Sequence, residues 1–143
     1  MRGYSLLEVL IAITIVVVGV AALAQLVAVA RSASMGARQA TMAAVLAQQK
    51  MEELVPQLTT ELTPSPADAL VHSVEGYSDF VDASGRSRGT ASAPPEGGAY
   101  LRRWSVDRVP DARTSMWILQ VVVTDLRSRV LARLVTTRTA HVL

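Results

Sequence analysis

An uncharged apolar run near the amino terminus constrains this chain more than any other feature. From Val9 to Ala30 the sequence has no charged residue, and only Thr14, Gly19 and Gln25 interrupt its apolar character. As an α-helix, these 22 residues span about 33 Å, close to the roughly 30 Å hydrocarbon core of a bilayer. The run therefore predicts a single transmembrane helix.

Two other structures can produce an apolar run in this position. A secretory signal peptide has a shorter apolar stretch, of about 7–15 residues, and a cleavage site after it. Cleavage near Ala30 would release a soluble domain, but the sequence that follows is also helix-forming. A soluble helix that is apolar on all sides needs a larger domain to bury it than 143 residues provide.

The next segment predicts a continuation of the same helix. Residues Ser32–Val55 contain no proline and one glycine, and they are rich in alanine, glutamine, methionine and leucine. Pro56 is expected to end the helix, which gives about fifty helical residues in all. The predicted core-facing stripe of this second half comprises Ala40, Ala44, Ala47, Met51, Leu54 and Leu58.

The rest of the chain predicts loops followed by strands. Residues 59–98 are rich in proline, glycine and serine, with one short strand expected near Tyr77–Val81. Later strands are expected around Trp104, at Met116–Thr124 as a central strand, and at Val130–Thr137. Short sequential strands favour an antiparallel meander covered on one face by the helix, which is an α+β fold.

The sequence does not indicate catalysis or metal binding. Without cysteine, disulfides and thiolate metal sites are excluded. His72 and His141 do not have ligand spacing, and Asp79, Asp82 and Ser84 lack the full ligand set of a calcium loop, so a turn is expected there. We therefore predict a non-enzymatic chain with no cofactor, no metal and no catalytic residue.

Arginine is dispersed, so the net charge of +2 does not indicate a nucleic-acid surface. The densest basic runs are residues 86–88, 102–103 and 127–129, and solvated strand or turn positions are the expected explanation for all three. No direct nucleic-acid contact is expected. Trp104 and Trp117 lie in strand patterns and are expected in the core.

The first residues form a recognisable signature. Arg2 and Gly3 are followed by Tyr4, an apolar and hydroxyl stretch, and Glu8, which is fifth after Gly3. This resembles the class III signal of type IV prepilins and type II secretion pseudopilins: a short basic leader ending in glycine, an aromatic residue, and glutamate at that spacing. Tyr4 stands where the family usually has phenylalanine.

The resemblance implies processing and assembly sites. It implies cleavage after Gly3 by prepilin peptidase, N-methylation of Tyr4, and pairing of Glu8 with the amino terminus of a neighbouring subunit. It also implies the pilin fold, a long amino-terminal helix on a small antiparallel sheet. The regions expected are a leader at 1–3, the transmembrane and assembly half of the helix at 4–30, its amphipathic half at 31–58, and a globular part at 59–143.

Weaker similarity, over Val45–Leu54 and Tyr100–Val106, points to minor pilins of the PilV type. The resemblance implies a minor type IV pilin, single-pass in the bacterial inner membrane with its carboxy-terminal domain outside the cytoplasm, and later part of a pilus. Expected partners are major and minor pilins or pseudopilins, the peptidase and the inner-membrane assembly platform. The alternatives are a minor pseudopilin of type II secretion and, with Met1 retained, a plain membrane-anchored binding or enzymatic domain. The family's frequent proline inside the span and its cysteine-closed loop are missing.

Overall fold

The computed structural model describes residues 5–57, 63–91, 93–109 and 116–139. Its elements are helix α1, Leu6–Gln57, and strands β1, Ser78–Asp82, β2, Gly98–Arg108, β3, Met116–Asp125, and β4, Val130–Thr139. A long amino-terminal helix followed by a small antiparallel sheet confirms the predicted α+β, pilin-like class. The chain divides into two compact units, unit 1, Met1–Arg38, and unit 2, Gln39–Leu143.

In unit 1, the described part of the helix exposes every side chain. Two of its hydroxyl groups donate to the carbonyl of the preceding turn: Thr14 Oγ1 to Leu10 at 2.8 Å, and Ser32 Oγ to Val29 at 2.8 Å. Because the segment is α-helical, its backbone groups beyond the first turn are hydrogen-bonded within the helix, as an apolar environment requires.

The helix ends where the sequence predicts. Pro56 lies in the last turn of α1, which finishes one residue later at Gln57. Proline has no backbone N–H and its ring clashes with the carbonyl group of the preceding turn, so a helix does not continue far beyond it.

The sheet of unit 2 is an antiparallel meander in the order β1-β2-β3-β4. Strand β3 pairs with β2 and β4, which confirms its prediction as a central strand. The register places Trp104 opposite Val121 and Val106 opposite Leu119. These side chains share one face, which packs against the helix. The core cluster contains Ala43, Leu46, Ala47, Leu54, Val81, Trp104, Val106, Leu119, Val121 and Val123.

The predicted helix stripe was partly wrong. Ala47 and Leu54 are buried and Met51 is half-buried, as predicted, but Ala40 and Ala44 are exposed. Leu58 lies outside the described residues. The buried positions are instead Ala43, Leu46, Ala47, Lys50 and Leu54. Alanines occur on several faces of this segment, so their spacing did not identify which face meets the sheet.

Both tryptophans contribute to the core, as predicted. Trp104 is buried, and Trp117 is half-buried against the same cluster. Lys50 also lies on the buried face, with its ammonium 4.0 Å from the centre of the Trp104 ring and 2.8 Å from a Glu53 carboxylate oxygen. The cation–π contact and the ion pair together compensate for burial of the ammonium group.

A buried ion pair links the helix to the first two strands. Asp79 and Arg102 are in register on β1 and β2, and the arginine donates from Nε at 2.9 Å and from Nη2 at 2.7 Å to the two carboxylate oxygens. Arg102 Nη1 also donates to the Leu46 carbonyl of the helix at 3.1 Å. Ser87 Oγ donates to Asp79 Oδ2 at 2.8 Å. The guanidinium group of Arg102 thus joins β2, on which it lies, to β1 and to the helix.

The prediction that residues 102–103 occupy solvated positions was wrong for Arg102, which is only 4% exposed. Its side chain lies on the helix-facing side of β2, and its carboxylate partner comes from a strand 23 residues earlier. Arg103, on the opposite face, is half-buried, and burial lowers the pKa of its guanidinium group.

We expect Asp79→Leu to destabilise unit 2 by about 3 kcal/mol, because it leaves the buried Arg102 charge unpaired. Unfolding of the full chain in detergent micelles can be followed by tryptophan fluorescence. The double variant Asp79→Leu with Arg102→Met is the matched control and should recover most of the loss. A single-variant effect below about 1 kcal/mol, the range of an exposed pair, would contradict this account.

Candidate functional site

The described part of the amino-terminal signature begins at Ser5, the residue before α1. Its carbonyl oxygen accepts hydrogen bonds from the backbone N–H groups of Glu8, at 3.0 Å, and Val9, at 3.3 Å. Ser5 therefore occupies the N-cap position, and Glu8 lies in the first helical turn. A carboxylate in this turn interacts favourably with the positive end of the helix dipole. The predicted cleavage and methylation residues, Gly3 and Tyr4, lie outside the described residues.

Glu8 carries an exposed carboxylate. In the described part of the chain it forms no ion pair. The next charged residue in the sequence is Arg31, about 35 Å further along a helix. A carboxylate at the margin of an apolar span is costly unless it is solvated or paired. Glu8 is thus available to a cation from outside the described chain.

The helical surface beyond Glu8 is apolar and uncovered. Leu10 and Val17, on one side of the helix, and Leu23, on the opposite side, are about 60–64% exposed. By length and composition, α1 is the one helix in the described residues that could cross a membrane. An apolar surface of this extent requires lipid or other apolar helices around it. It fits a chain anchored in a membrane by a single pass.

Residues 1–24 match the family model described as the prokaryotic N-terminal methylation motif. The match includes Gly3, Tyr4 and Glu8, together with the first part of the apolar run. No curated protein and no solved structure matches the chain. The match supports a type IV pilin-like protein, and its signal implies processing by prepilin peptidase and assembly with other pilins.

The loop that carries Asp82 forms a turn, as predicted. Asp82 Oδ1 accepts hydrogen bonds from the Ser84 backbone N–H at 2.9 Å, the Ser84 hydroxyl at 2.6 Å and the Arg86 N–H at 3.0 Å. Asp79 is engaged by Arg102. Asp82 Oδ2 also pairs with Arg88 at 2.9 Å. The carboxylates thus serve the fold, and no group of three possible metal-binding side chains occurs within the described ranges.

The histidines do not form a site in the described residues. His72 Nδ1 is 3.5 Å from an Asp68 carboxylate oxygen, and both side chains are more than half exposed. This is a surface pair one helical turn apart in sequence. His141 lies outside the described residues. The expectation of a non-enzymatic chain stays a prediction.

The structure brings together groups that the sequence did not connect. Arg102, Asp79 and Lys50 are charged residues within the interior of unit 2, although each has a polar residue next to it in the sequence. The strand alternation places Arg102 on the same side as Trp104, which was the available signal for its burial. Because these charged residues lie far apart in the sequence, the sequence pattern could not show which groups they contact.

We expect the Asp82 turn to be sensitive to acid. Hydrogen bonds, first from the Ser84 hydroxyl and then from the Arg86 backbone, lower the pKa of Asp82 below its ordinary value of about 3.9. The ionised group therefore stabilises the fold fully above that value, and this stabilisation is lost as pH falls through the lower pKa of the folded state.

The melting temperature of the full chain in detergent should accordingly be higher than that of Asp82→Asn above about pH 5, with the difference narrowing below about pH 4. Glu75→Gln, which changes an exposed carboxylate, serves as the control. If the melting temperatures of wild type and Asp82→Asn differ by the same amount at pH 6 and at pH 2.5, the lowered pKa of Asp82 does not contribute to stability and the prediction is wrong.

Proposed function

We propose that this chain is a minor type IV pilin, made as an inner-membrane precursor, cleaved after Gly3 and incorporated into a pilus or its priming complex. The observation that carries the proposal is the methylation-motif match over residues 1–24. That motif leads into an uncovered apolar helix, and the chain continues into an α+β unit. Before assembly, we place this unit outside the cytoplasm.

Each residue of the signature has a chemical part in this pathway. Gly3 has no side chain, so its peptide bond is accessible to a peptidase at the membrane surface. Hydrolysis of the bond after Gly3 creates a new amino terminus on Tyr4. N-methylation leaves this amine basic, so it can still carry a positive charge.

Assembly requires the apolar helix to exchange lipid for neighbouring subunits. In this setting, the Glu8 carboxylate meets the Tyr4 amine of an adjacent subunit, and each charge loses its water but gains a counterion. Attraction between two charges is stronger in a medium of low dielectric than in water. Since pairing occurs at only one axial offset of the two helices, it sets the register of assembly.

Similarity to PilV-type minor pilins favours a pilus over type II secretion. The two similar segments, Val45–Leu54 and Tyr100–Val106, lie on α1 and β2 of unit 2. They contact each other through Lys50 and Trp104 and through Leu46 and Arg102. The similarity thus covers a helix–sheet contact. The partners proposed are other pilins, prepilin peptidase and the assembly platform.

The amino-terminal peptide from protein in native membranes should begin at Tyr4 and carry one additional methyl group, as measured by mass spectrometry. Gly3→Val should leave an unprocessed chain, because its branched side chain obstructs the peptidase. A peptide beginning at Met1 in a strain with active peptidase would reduce the proposal to a plain anchor. A start near residue 30 would indicate a secreted domain.

Glu8→Ala should leave membrane insertion intact but reduce the amount of this chain in sheared pili by at least about tenfold, which corresponds to roughly 1.4 kcal/mol. Loss of the carboxylate leaves the neighbouring amine without a counterion. Glu75→Ala removes an exposed carboxylate from unit 2 and should have no effect. Equal amounts of the Glu8 variant and wild type in the pili would exclude the pairing.

A further inference from the structure

The hairpin that joins β3 and β4, residues 125–129, lies at the end of unit 2 from which the chain leads into the apolar run. Arg129 Nη2 donates to Gln39 Oε1 at 3.4 Å, and Gln39 is the first residue of unit 2. Successive contacts along the helix are Lys50 with Trp104, Leu46 with Arg102, and Gln39 with Arg129. The end of the sheet that carries the β3–β4 hairpin therefore lies beside the first part of the helix within unit 2.

The turn is held firmly by Asp125. Its Oδ1 accepts hydrogen bonds from the backbone N–H groups of Arg127, at 3.0 Å, and Arg129, at 2.8 Å, and Oδ2 pairs with Arg129 Nε at 3.2 Å. The Ser128 N–H donates to the Asp125 carbonyl at 3.0 Å. Ser128 has a φ of 64°, a conformation unusual for a residue other than glycine. The only carboxylate of the hairpin is thus engaged within the turn.

The tip of the hairpin combines an apolar side chain with cations. Leu126 is 44% exposed, Arg127 is exposed, and the Arg129 side chain is 67% exposed. Arg127 has no ion-pair partner among the residues that the structure describes. Apolar groups beside arginines are suited to the interface of an anionic bilayer, where guanidinium groups pair with phosphate oxygens.

The end of unit 2 that bears the hairpin is connected to the apolar run by a short part of the chain, and this connection allows the hairpin to reach lipid headgroups. Only eight residues, 31–38, lie between Ala30, the last residue of the apolar run, and Gln39. Arg31 and Arg38 add positive charge to the same stretch of chain.

We propose that the 125–129 hairpin binds the phosphate headgroups of anionic phospholipids while the chain is anchored in the membrane. This proposal rests on the membrane insertion proposed above. Leu126 enters the interface, and Arg127 pairs with lipid phosphate. The contact breaks when the subunit leaves the bilayer, so anionic lipid favours the membrane-stored form over the assembled form.

The lack of cysteine makes a direct test possible. Leu126→Cys introduces a single thiol at the hairpin tip for an apolar fluorescent label. Ser73→Cys places the same label on an exposed residue of the loop that precedes Gly76 and Tyr77, which line a depression with Leu54 and Gln57 at the other end of this helical segment. The full chain is reconstituted at low density in vesicles of phosphatidylcholine, with or without phosphatidylglycerol, and a quencher is attached to the lipid headgroups.

We expect phosphatidylglycerol to increase quenching of the label at position 126 and to leave the label at position 73 unchanged. Arg127→Gln should decrease the occupancy of the quenched state about fivefold, the effect of one interfacial arginine. Arg108→Gln removes an exposed charge at the end of β2 that lies away from the hairpin, and it should have no effect. Unchanged tryptophan fluorescence verifies that each variant is folded.

Equal quenching at position 126 in both kinds of vesicle, or no effect of Arg127→Gln, would overturn the proposal. Either result would show that the label is near the headgroups only because the chain is anchored in the membrane. Quenching that depends on protein density would assign the hairpin to a contact with another copy, and would also overturn it. Flotation with vesicles measures insertion separately. A chain that does not float would overturn the membrane insertion itself, whereas a chain that floats without the lipid-dependent signal would overturn only the hairpin contact.

Discussion

The apolar surface of unit 1 must be kept from water, and this constraint governs the possible states of the protein. Its helix bonds its own backbone, and Thr14 and Ser32 donate to carbonyl groups of the same helix, so it is compatible with lipid. It is equally compatible with a bundle of similar helices, because lipid chains and aliphatic side chains are similar in polarity. A protein that moves from membrane to fibre needs such a helix, and it needs a polar feature to distinguish the two environments. Glu8 has the required chemistry.

Unit 2 depends on a different interaction. The fully buried members of its core cluster are aliphatic apart from Trp104, and four residues of the helix supply one side of this cluster. The Arg102 guanidinium group fixes how the helix is oriented on the sheet, because it binds Asp79 across the strands and the Leu46 carbonyl of the helix. Hydrophobic contacts alone tolerate sliding between a helix and a sheet, whereas this set of hydrogen bonds has one geometry. A buried ion pair of this kind supports specificity more than it adds stability.

The arrangement of unit 2 also explains the position of the β3–β4 hairpin. Strand pairing and the Arg102 contact set the order in which the sheet meets the helix, so the hairpin lies beside Gln39. The Asp125 hydrogen bonds then present Leu126 and Arg127 at the tip. A surface suited to lipid thus arises from the fold, although its residues are separated from the apolar run by most of the chain.

The sequence by itself determined the features that depend on neighbours along the chain. The apolar run, the end of α1 near Pro56 and the four strands follow from local composition and periodicity, and the residues of the proposed site, Gly3, Tyr4 and Glu8, belong to one short motif. Only the tertiary structure decided which helix face is buried, because alanine occurs on several faces. It also decided the pairing of Arg102 with Asp79 and the place of the hairpin beside Gln39, since these contacts join residues 23 and 90 positions apart. Local propensity carries no information about such partners, whose selection requires the packed sheet and helix.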